Sequence, residues 1–500
     1  MSLLSAWRGF GCRSLPAASS RPPCIRALHQ RSVSKALSKL PANTAFGIGS
    51  RPLGGLLRQQ GLWRQGRHLS LGTKSSQPRP FDAKFFSSNA AAIPKLPVLS
   101  RPPVAGWLIA SSVLVFTVIV VGGVTRLTES GLSITEWRPI TGILPPLSQA
   151  EWDAEFTKYK ATPEFKLLNH SITLDEFKDI FYMEWGHRVL GRLIGITFVG
   201  PLAYFILSNR LTATLPKQLL GISLLIGAQG VLGWYMVKSG LEESLMDTPG
   251  AVPRVSQYRL AAHLGTAFVV YAGMLGTGMA VLYDWRYGMS GAWAGLKGEA
   301  ANWNNILQNP AVKRFARYSK LLTGLVFLTA LSGAFVAGLD AGLLYNEFPL
   351  MGGRIAPPAD ELFSTAYAKS PDGSDIWWRN IFENPTTVQF NHRCLAITTY
   401  TATAALYALS RSSAYKAVLP PLVKRMMVSA FAMANVQVLL GISTLLYLVP
   451  VPLAAAHQAG SVLLLTTMVQ LLISLRRPGA AARAWRQALL AKGAKPTKAP

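Results

Sequence analysis

The chain has 500 residues, of which half are apolar and only 15% are charged, and its mean hydropathy is positive at +0.27. That balance excludes a string of soluble domains and indicates a protein that crosses a membrane several times. The formal net charge of +27 lies in identifiable segments of such a protein, so we expect no nucleic-acid binding.

The first hundred residues are basic and rich in serine and proline. Residues 8–101 carry sixteen Lys and Arg residues and one acid, Asp82, without a long apolar run. This composition predicts a mitochondrial transit peptide and disordered basic segment over residues 1–100. The alternative is a disordered basic arm that binds acidic partners.

Eight largely uncharged stretches follow, each long enough to cross about 30 Å of hydrocarbon. They predict spanning helices near residues 104–125, 184–207, 218–238, 257–282, 319–339, 387–410, 425–448 and 453–475. Pro450 and Pro452 separate the last two and predict a tight hairpin. The predicted fold is therefore an all-α membrane protein with eight transmembrane helices.

The connections between these helices alternate in charge. Two long loops, 126–183 and 340–386, hold most of the acids, whereas the connections on the side of the N-terminus and the C-terminal tail are basic. The positive-inside rule then places both termini in the matrix and the acidic loops in the intermembrane space, so the protein is predicted to lie in the mitochondrial inner membrane.

The last four predicted helices repeat the first four. EWGHR at 184–188 is matched by QFNHR at 389–393, and AAH at 261–263 by AAH at 455–457. The repeat predicts two parallel four-helix bundles at 101–290 and 321–478, with a matrix linker at 291–320 and a basic matrix tail at 479–500.

Four histidines occupy repeat-matched positions within the predicted spans: His187, His263, His392 and His457. Each falls within about the first two turns of its predicted helix, and these helices run in the same direction, so the four rings are expected near the intermembrane-space face. A lone histidine in a span is typically a packing residue, but four in register favour ligation. Because paired neutral imidazoles are good axial ligands for haem iron, we predict a bis-histidine haem site in each half.

Charged residues accompany these histidines. Arg188, Arg192 and Arg393 are candidate partners of haem propionates, although Arg188 and Arg393 are also able to extend to the membrane interface. Glu184 lies one turn before His187, where the second half has the neutral Gln389. This difference predicts one chemically active site and one supporting site; the alternative is an interfacial acid that faces water.

Together these residues resemble the haem A synthase family in its mitochondrial form. The resemblance covers about residues 100–475 and is carried by EWGHR at 184–188, GGVTRLTESGLS at 122–133 and NHR at 391–393. It implies oxidation of a ring methyl group of haem O to a formyl group, giving haem A for cytochrome c oxidase. It also implies substrate haem at His187 and His263, a haem b cofactor at His392 and His457, and a catalytic Glu184.

The resemblance further implies a set of partners. These are dioxygen or water, a ferredoxin and its reductase as electron donor, haem O synthase, cytochrome oxidase assembly factors and further copies of the chain in a homo-oligomer. Two other functions stay open from the residues alone: a dihaem electron-transfer subunit like cytochrome b, and a haem transporter or chaperone.

Overall fold

The computed structural model describes residues 96–139, 141–247 and 252–492. The predicted transit peptide lies outside these residues except for 96–100, and so do the last eight residues of the predicted matrix tail.

Eight long helices make up most of the described chain. They are α1 (Pro102–Leu127), α2 (Leu174–Leu207), α3 (Leu215–Lys238), α4 (Gln257–Ser290), α5 (Pro310–Gly338), α6 (Pro385–Arg411), α7 (Pro421–Leu446) and α8 (Val451–Ser474). Shorter helices are Gln149–Lys160, Pro163–Leu167, Ser244–Asp247, Trp303–Gln308, Ala359–Leu362, Ile376–Glu383, Ser413–Lys416 and Ala480–Ala491, with 3₁₀ turns at Gly298–Ala301, Ala341–Leu343 and Thr365–Tyr367. Within the described ranges the only β pairing is two isolated bridges, so the all-α prediction is confirmed there.

Seven of the eight long helices are long and apolar enough to cross a membrane, which confirms a multi-pass membrane protein. The exception is α6, whose 27 residues suffice in length but include six threonines. Hydropathy therefore supports seven spans, and the eighth stays a prediction.

Two helices begin well before their predicted starts at 184 and 319. At α2, the Thr173 hydroxyl accepts from the Glu176 amide (3.3 Å) while the Glu176 carboxylate accepts from the Thr173 amide (2.9 Å), a capping box that starts the helix among polar residues. At α5, Asn309 caps the helix and Pro310 takes its first turn. The apolar pattern of the sequence identified only the membrane-spanning part of each helix and not the polar turns before it. The placement of His187 in the first two turns of its helix is therefore wrong.

Four helices lie at the centre of the molecule. α4 packs against α1, α3, α5 and α8, and α8 also packs against α1, α5 and α7. One continuous apolar core runs through both halves, from Leu108 and Phe198 to Phe315 and Met468. The two halves are thus joined along α1, α4, α5 and α8.

Ionic contacts also join the halves at one end of the bundle. Asp340, which follows α5, accepts from Arg126 at the end of α1 (2.9 Å) and from Arg254 just before α4 (3.0 Å). The backbone of Asp340 is left-handed, with φ 52°, as is that of the matching Glu129 in the first half, with φ 54°. The Asp340 carboxylate is about two-fifths exposed, so these are surface ion pairs rather than buried ones.

Candidate functional site

The four candidate histidines lie on α2, α4, α6 and α8, one ring to a helix. In the first half α2 and α4 both pack against α1 and α3, and in the second half α6 and α8 both pack against α5 and α7. Each half therefore holds its two histidine-bearing helices around the same neighbours, and the pairing of their rings at one haem stays a prediction.

Each ring rests against a glycine of the helix that precedes it in the chain. A Cβ atom added at that glycine would lie within 3.4 Å of the ring carbon Cε1 in all four cases, closer than ordinary van der Waals contact. The pairs and distances are Gly122 with His187 (2.7 Å), Gly233 with His263 (3.3 Å), Gly333 with His392 (3.4 Å) and Gly441 with His457 (2.9 Å). A larger residue would push the imidazole away, and by more at Gly122 and Gly441 than at Gly233 and Gly333.

The Nδ1 atoms of these rings do not all have the same surroundings. Nδ1 of His187, His263 and His457 is buried without a hydrogen-bond partner among the described residues. His392 differs, because its Nδ1 lies 2.7 Å from the hydroxyl of Ser332. The second half thus differs from the first in having one ring nitrogen with a side-chain partner.

Glutamines tie the ends of two ligand-bearing helices to their neighbours. Gln229 on α3 donates to the carbonyl oxygen of His263 (2.9 Å), and Gln437 on α7 donates to that of His457 (2.7 Å). Gln458, the residue after His457, donates to the carbonyl oxygen of Ile119 on α1 (3.1 Å). These bonds fix the backbone at the histidines from adjacent helices.

Glu184 is buried beneath the first acidic loop. One carboxylate oxygen accepts from the Ser133 hydroxyl (2.7 Å) and the Ile134 amide (2.9 Å), and the other accepts from Arg188 Nη2 (2.6 Å) and Nε (3.0 Å). The side chain is only 4% exposed. The alternative of an acid that faces water is therefore excluded by the geometry, and the charge is held by four donors.

The arginines beside the histidines hold loop carbonyl groups. Arg188 donates to Ile134 (2.9 Å) and Glu136 (3.0 Å), and Arg192 donates to Arg138 (2.8 Å) and Pro139 (2.9 Å). Nη1 of Arg192 is buried without a partner among the described residues. These side chains therefore fasten the first loop over α2, and Arg192 keeps a donor free.

The second half repeats this arrangement without the charge. Arg393 donates to the carbonyl oxygens of Tyr345 (2.8 Å) and Leu350 (3.0 Å), and Gln389 also donates to that of Tyr345 (3.1 Å). Within the described residues, Arg393 Nε and Gln389 Oε1 are buried and unpartnered. The ion pair of the first half thus has no counterpart in the second.

Sequence reasoning missed the glycines, Ser332 and the loop carbonyls that the arginines bind. The glycines did carry a signal, since Gly122 and Gly333 each stand nine residues before a loop glycine, Gly131 or Gly342. Ser332 carried none, because the matching residue is Val121.

The donor set fits iron porphyrin. The two imidazoles of each half would hold a haem iron, because a neutral ring needs only one nitrogen to bind the metal. Zinc fits less well, because no cluster of three or more His, Cys, Asp or Glu suited to a metal ion occurs in the part of the chain that the structure describes.

Comparison with known proteins identifies similar chains. The COX15-CtaA family, described as cytochrome oxidase assembly protein, matches residues 105–469. The chain is 48% identical to heme A synthase COX15 of Saccharomyces cerevisiae, over 76% of each chain, and 48% identical to that of Homo sapiens, over 76% of this chain and 85% of the relative. It is also 48% identical to a heme A synthase-mitochondrial ferredoxin fusion protein of Schizosaccharomyces pombe, over 74% of this chain and 59% of the fusion.

Proposed function

The chain belongs to the COX15-CtaA family of cytochrome oxidase assembly proteins, and on that premise we propose that it is a haem A synthase of mitochondria. The enzyme oxidises a ring methyl group of haem O to the formyl group of haem A. The observation that carries this proposal is the set of four repeat-matched histidines, two in each half, with each ring lying against a glycine of the preceding long helix.

We assign the substrate to the first half and a resident haem b to the second. Substrate haem binds His187 and His263, beside the only buried carboxylate of the two matched sites. Haem b binds His392 and His457, where Ser332 supports one ligand. A hydrogen bond to Nδ1 orients an iron ligand and makes it more basic, which suits a haem that stays bound.

The side chains that surround the substrate hold it in position and protect it. Haem b, when bound, supplies one-electron chemistry, while oxygen comes from dioxygen or water. Arg188 and Arg192 hold the first loop over the site, and the free donor of Arg192 is a partner for a propionate. Arg393 holds the second loop in the same way, and its unpartnered Nε is available to a propionate of haem b.

Glu184 is the proton-exchanging group of the first half. Its carboxylate can accept a proton near the substrate, whereas the amide of Gln389 at the matched position cannot. The hydrogen bonds from Ser133, Ile134 and Arg188 hold this carboxylate in place, and we assign it the exchange of a proton with the bound substrate.

The proposed arrangement in the membrane follows the charges. α6 crosses with the other seven helices, because it has their length and packs between α5 and α7. Both termini and the linker at 291–320 then face the matrix, and the two halves, 101–290 and 321–478, lie in the inner membrane. A matrix ferredoxin with its reductase is the proposed electron donor, which the ferredoxin fusion supports.

Pigment analysis tests the function. Membranes that contain haem O and the full-length protein should yield a new formyl haem on extraction and chromatography, and membranes without the protein should not. His187→Ala and His263→Ala should abolish it and keep the resident haem, whereas His392→Ala and His457→Ala should lose that haem. His170→Ala, in the exposed first loop, is the control.

An unchanged porphyrin would contradict the proposal. Two stable haems without formyl product would instead indicate an electron-transfer subunit, and binding without oxidation would indicate a haem carrier.

A further inference from the structure

Glycine is not a general requirement of these helices. Several glycines on the same helices face open space, with no atom within 4 Å of an added Cβ, namely Gly106 on α1, Gly227 and Gly230 on α3, and Gly324 on α5. The glycines that face the histidines are different, because each leaves room for an imidazole edge. Other glycines, such as Gly123 against Gln458, also approach side chains closely, so the feature that these four share is an imidazole as the neighbour.

The pattern recurs in both halves at matched positions. Gly233 follows Gln229 by four residues and Gly441 follows Gln437 by four, and both glutamines donate to the backbone of the histidine concerned. The preceding long helix thus holds each of these histidines in two ways: its glycine contacts the ring, and its glutamine donates a hydrogen bond to the backbone carbonyl of the histidine.

We propose that Gly122, Gly233, Gly333 and Gly441 are positioning residues that set the place of the four iron-ligating rings, with one tight and one loose seat in each haem site. The tight seats are Gly122 (2.7 Å) and Gly441 (2.9 Å), and the loose seats are Gly233 (3.3 Å) and Gly333 (3.4 Å). The inference rests on the proposed function only in requiring that these rings bind haem iron.

The two kinds of seat tolerate a methyl group differently. At a tight seat the ring must shift by about half an ångström or more to regain ordinary contact, whereas at a loose seat a few tenths suffice. The distance between a metal and its ligand atom varies by only about 0.2 Å around its ordinary value. The larger shift of the ring would therefore break the iron–imidazole bond or tilt the ring strongly. One ring of each site therefore defines where the iron sits, and its partner adapts.

The resident site gives a direct spectroscopic test. We expect holoprotein with Gly441→Ala to change from six-coordinate low-spin to high-spin haem, with about 10–100-fold weaker retention, as for loss of a supporting contact to a metal ligand. Gly333→Ala should stay low-spin with shifted EPR g values. Gly324→Ala, on the same helix as Gly333, is the control and should match the unmodified chain.

The substrate site is tested by titration with ferric haem b, with the resident site already filled. Gly122→Ala should fail to develop the low-spin signal, Gly233→Ala should develop it with shifted g values, and Gly227→Ala should behave as the unmodified chain. If Gly441→Ala is not recovered as a folded chain, Gly333→Ala decides, and spectra that superimpose on those of Gly324→Ala would overturn the proposal.

The outcomes separate this proposal from the enzyme function. The spectra do not depend on formation of haem A, so the proposal for the glycines is supported if the stated changes occur in a protein that makes no formyl haem. It is refuted if the protein makes haem A and the tight-seat variants keep the spectra of the unmodified chain.

Discussion

Replacing Glu184 by glutamine separates the proposed proton-exchanging role from a structural one. The carboxylate accepts four hydrogen bonds, two of them from Arg188. A glutamine has one acceptor oxygen, so it must either turn its NH₂ group toward Arg188 or leave the amide of Ile134 without an acceptor.

The expected loss of stability follows from the burial of this network. Breaking a buried ion pair typically costs 3–5 kcal/mol, and losing one acceptor for a buried donor costs about 1–3 kcal/mol. Arg188 keeps the carbonyl oxygens of Ile134 and Glu136 as partners. We therefore expect Glu184→Gln to lower the free energy of unfolding by about 3 kcal/mol, at the low end of the first range.

Two measurements are made on the same preparations. Thermal unfolding in detergent, followed by helical circular dichroism, reports the stability, and extracted pigments report haem A. We expect Glu184→Gln to lose haem A production while the resident haem keeps its spectrum. Unchanged haem A production would refute the proton-exchanging role, and unchanged unfolding would refute the energetic argument.

The second half supplies the matched control. Gln389→Glu gives the unpartnered Nε of Arg393 a carboxylate to bind, as Arg188 has in the first half. We expect this variant to be at least as stable as the unmodified chain and to produce haem A. A fall in stability equal to that of Glu184→Gln would contradict the comparison of the two sites.

Three further predictions concern other contacts. Ser332→Ala removes the only side-chain partner of a described ligand Nδ1 and should weaken retention of the resident haem about 10–100-fold, measured by transfer to apomyoglobin. Asp340→Asn should cost about 1 kcal/mol per lost ion pair in thermal unfolding, whereas Glu129→Gln at the matched exposed position should cost nothing measurable. Lys158, by its hydrogen bond, and Arg138 lower the pKa of Glu136 from its ordinary 4.5. The ion pairs of Glu136 therefore stabilise the first loop fully above pH 4.5, and this stabilisation is lost as the pH falls below that value. Amide hydrogen exchange in the first loop should rise below pH 4.5, and Glu136→Gln should remove that rise.

The sequence was sufficient for the parts of the site that depend on spacing along one helix. The matched histidines were visible as a repeat and the i, i+3 relation of Glu184 to His187 was visible in the spacing, and the structure packs the two histidine-bearing helices of each half against the same neighbouring helices. The same reasoning failed at the start of α2, because polar helical turns continue beyond the apolar stretch.

The missing parts depend on distances between helices. Whether Gly122 meets a ring or open space is decided by how closely α1 approaches α2, and Gly106 on the same helix has the opposite surroundings. The acceptors of Arg188 and Arg393 are backbone carbonyl groups, which every residue carries. The sequence therefore cannot show which carbonyl groups the arginines bind.

The contact from Gln458 to Ile119 has a consequence for biogenesis. It joins the last long helix to the first, and Gln458 also lies against Gly123, the neighbour of the Gly122 seat. Because α8 follows α1 by more than three hundred residues, this contact forms only when nearly the whole polypeptide is in the membrane. The packing around Gly123 in the first half is therefore complete only when the second half is also present.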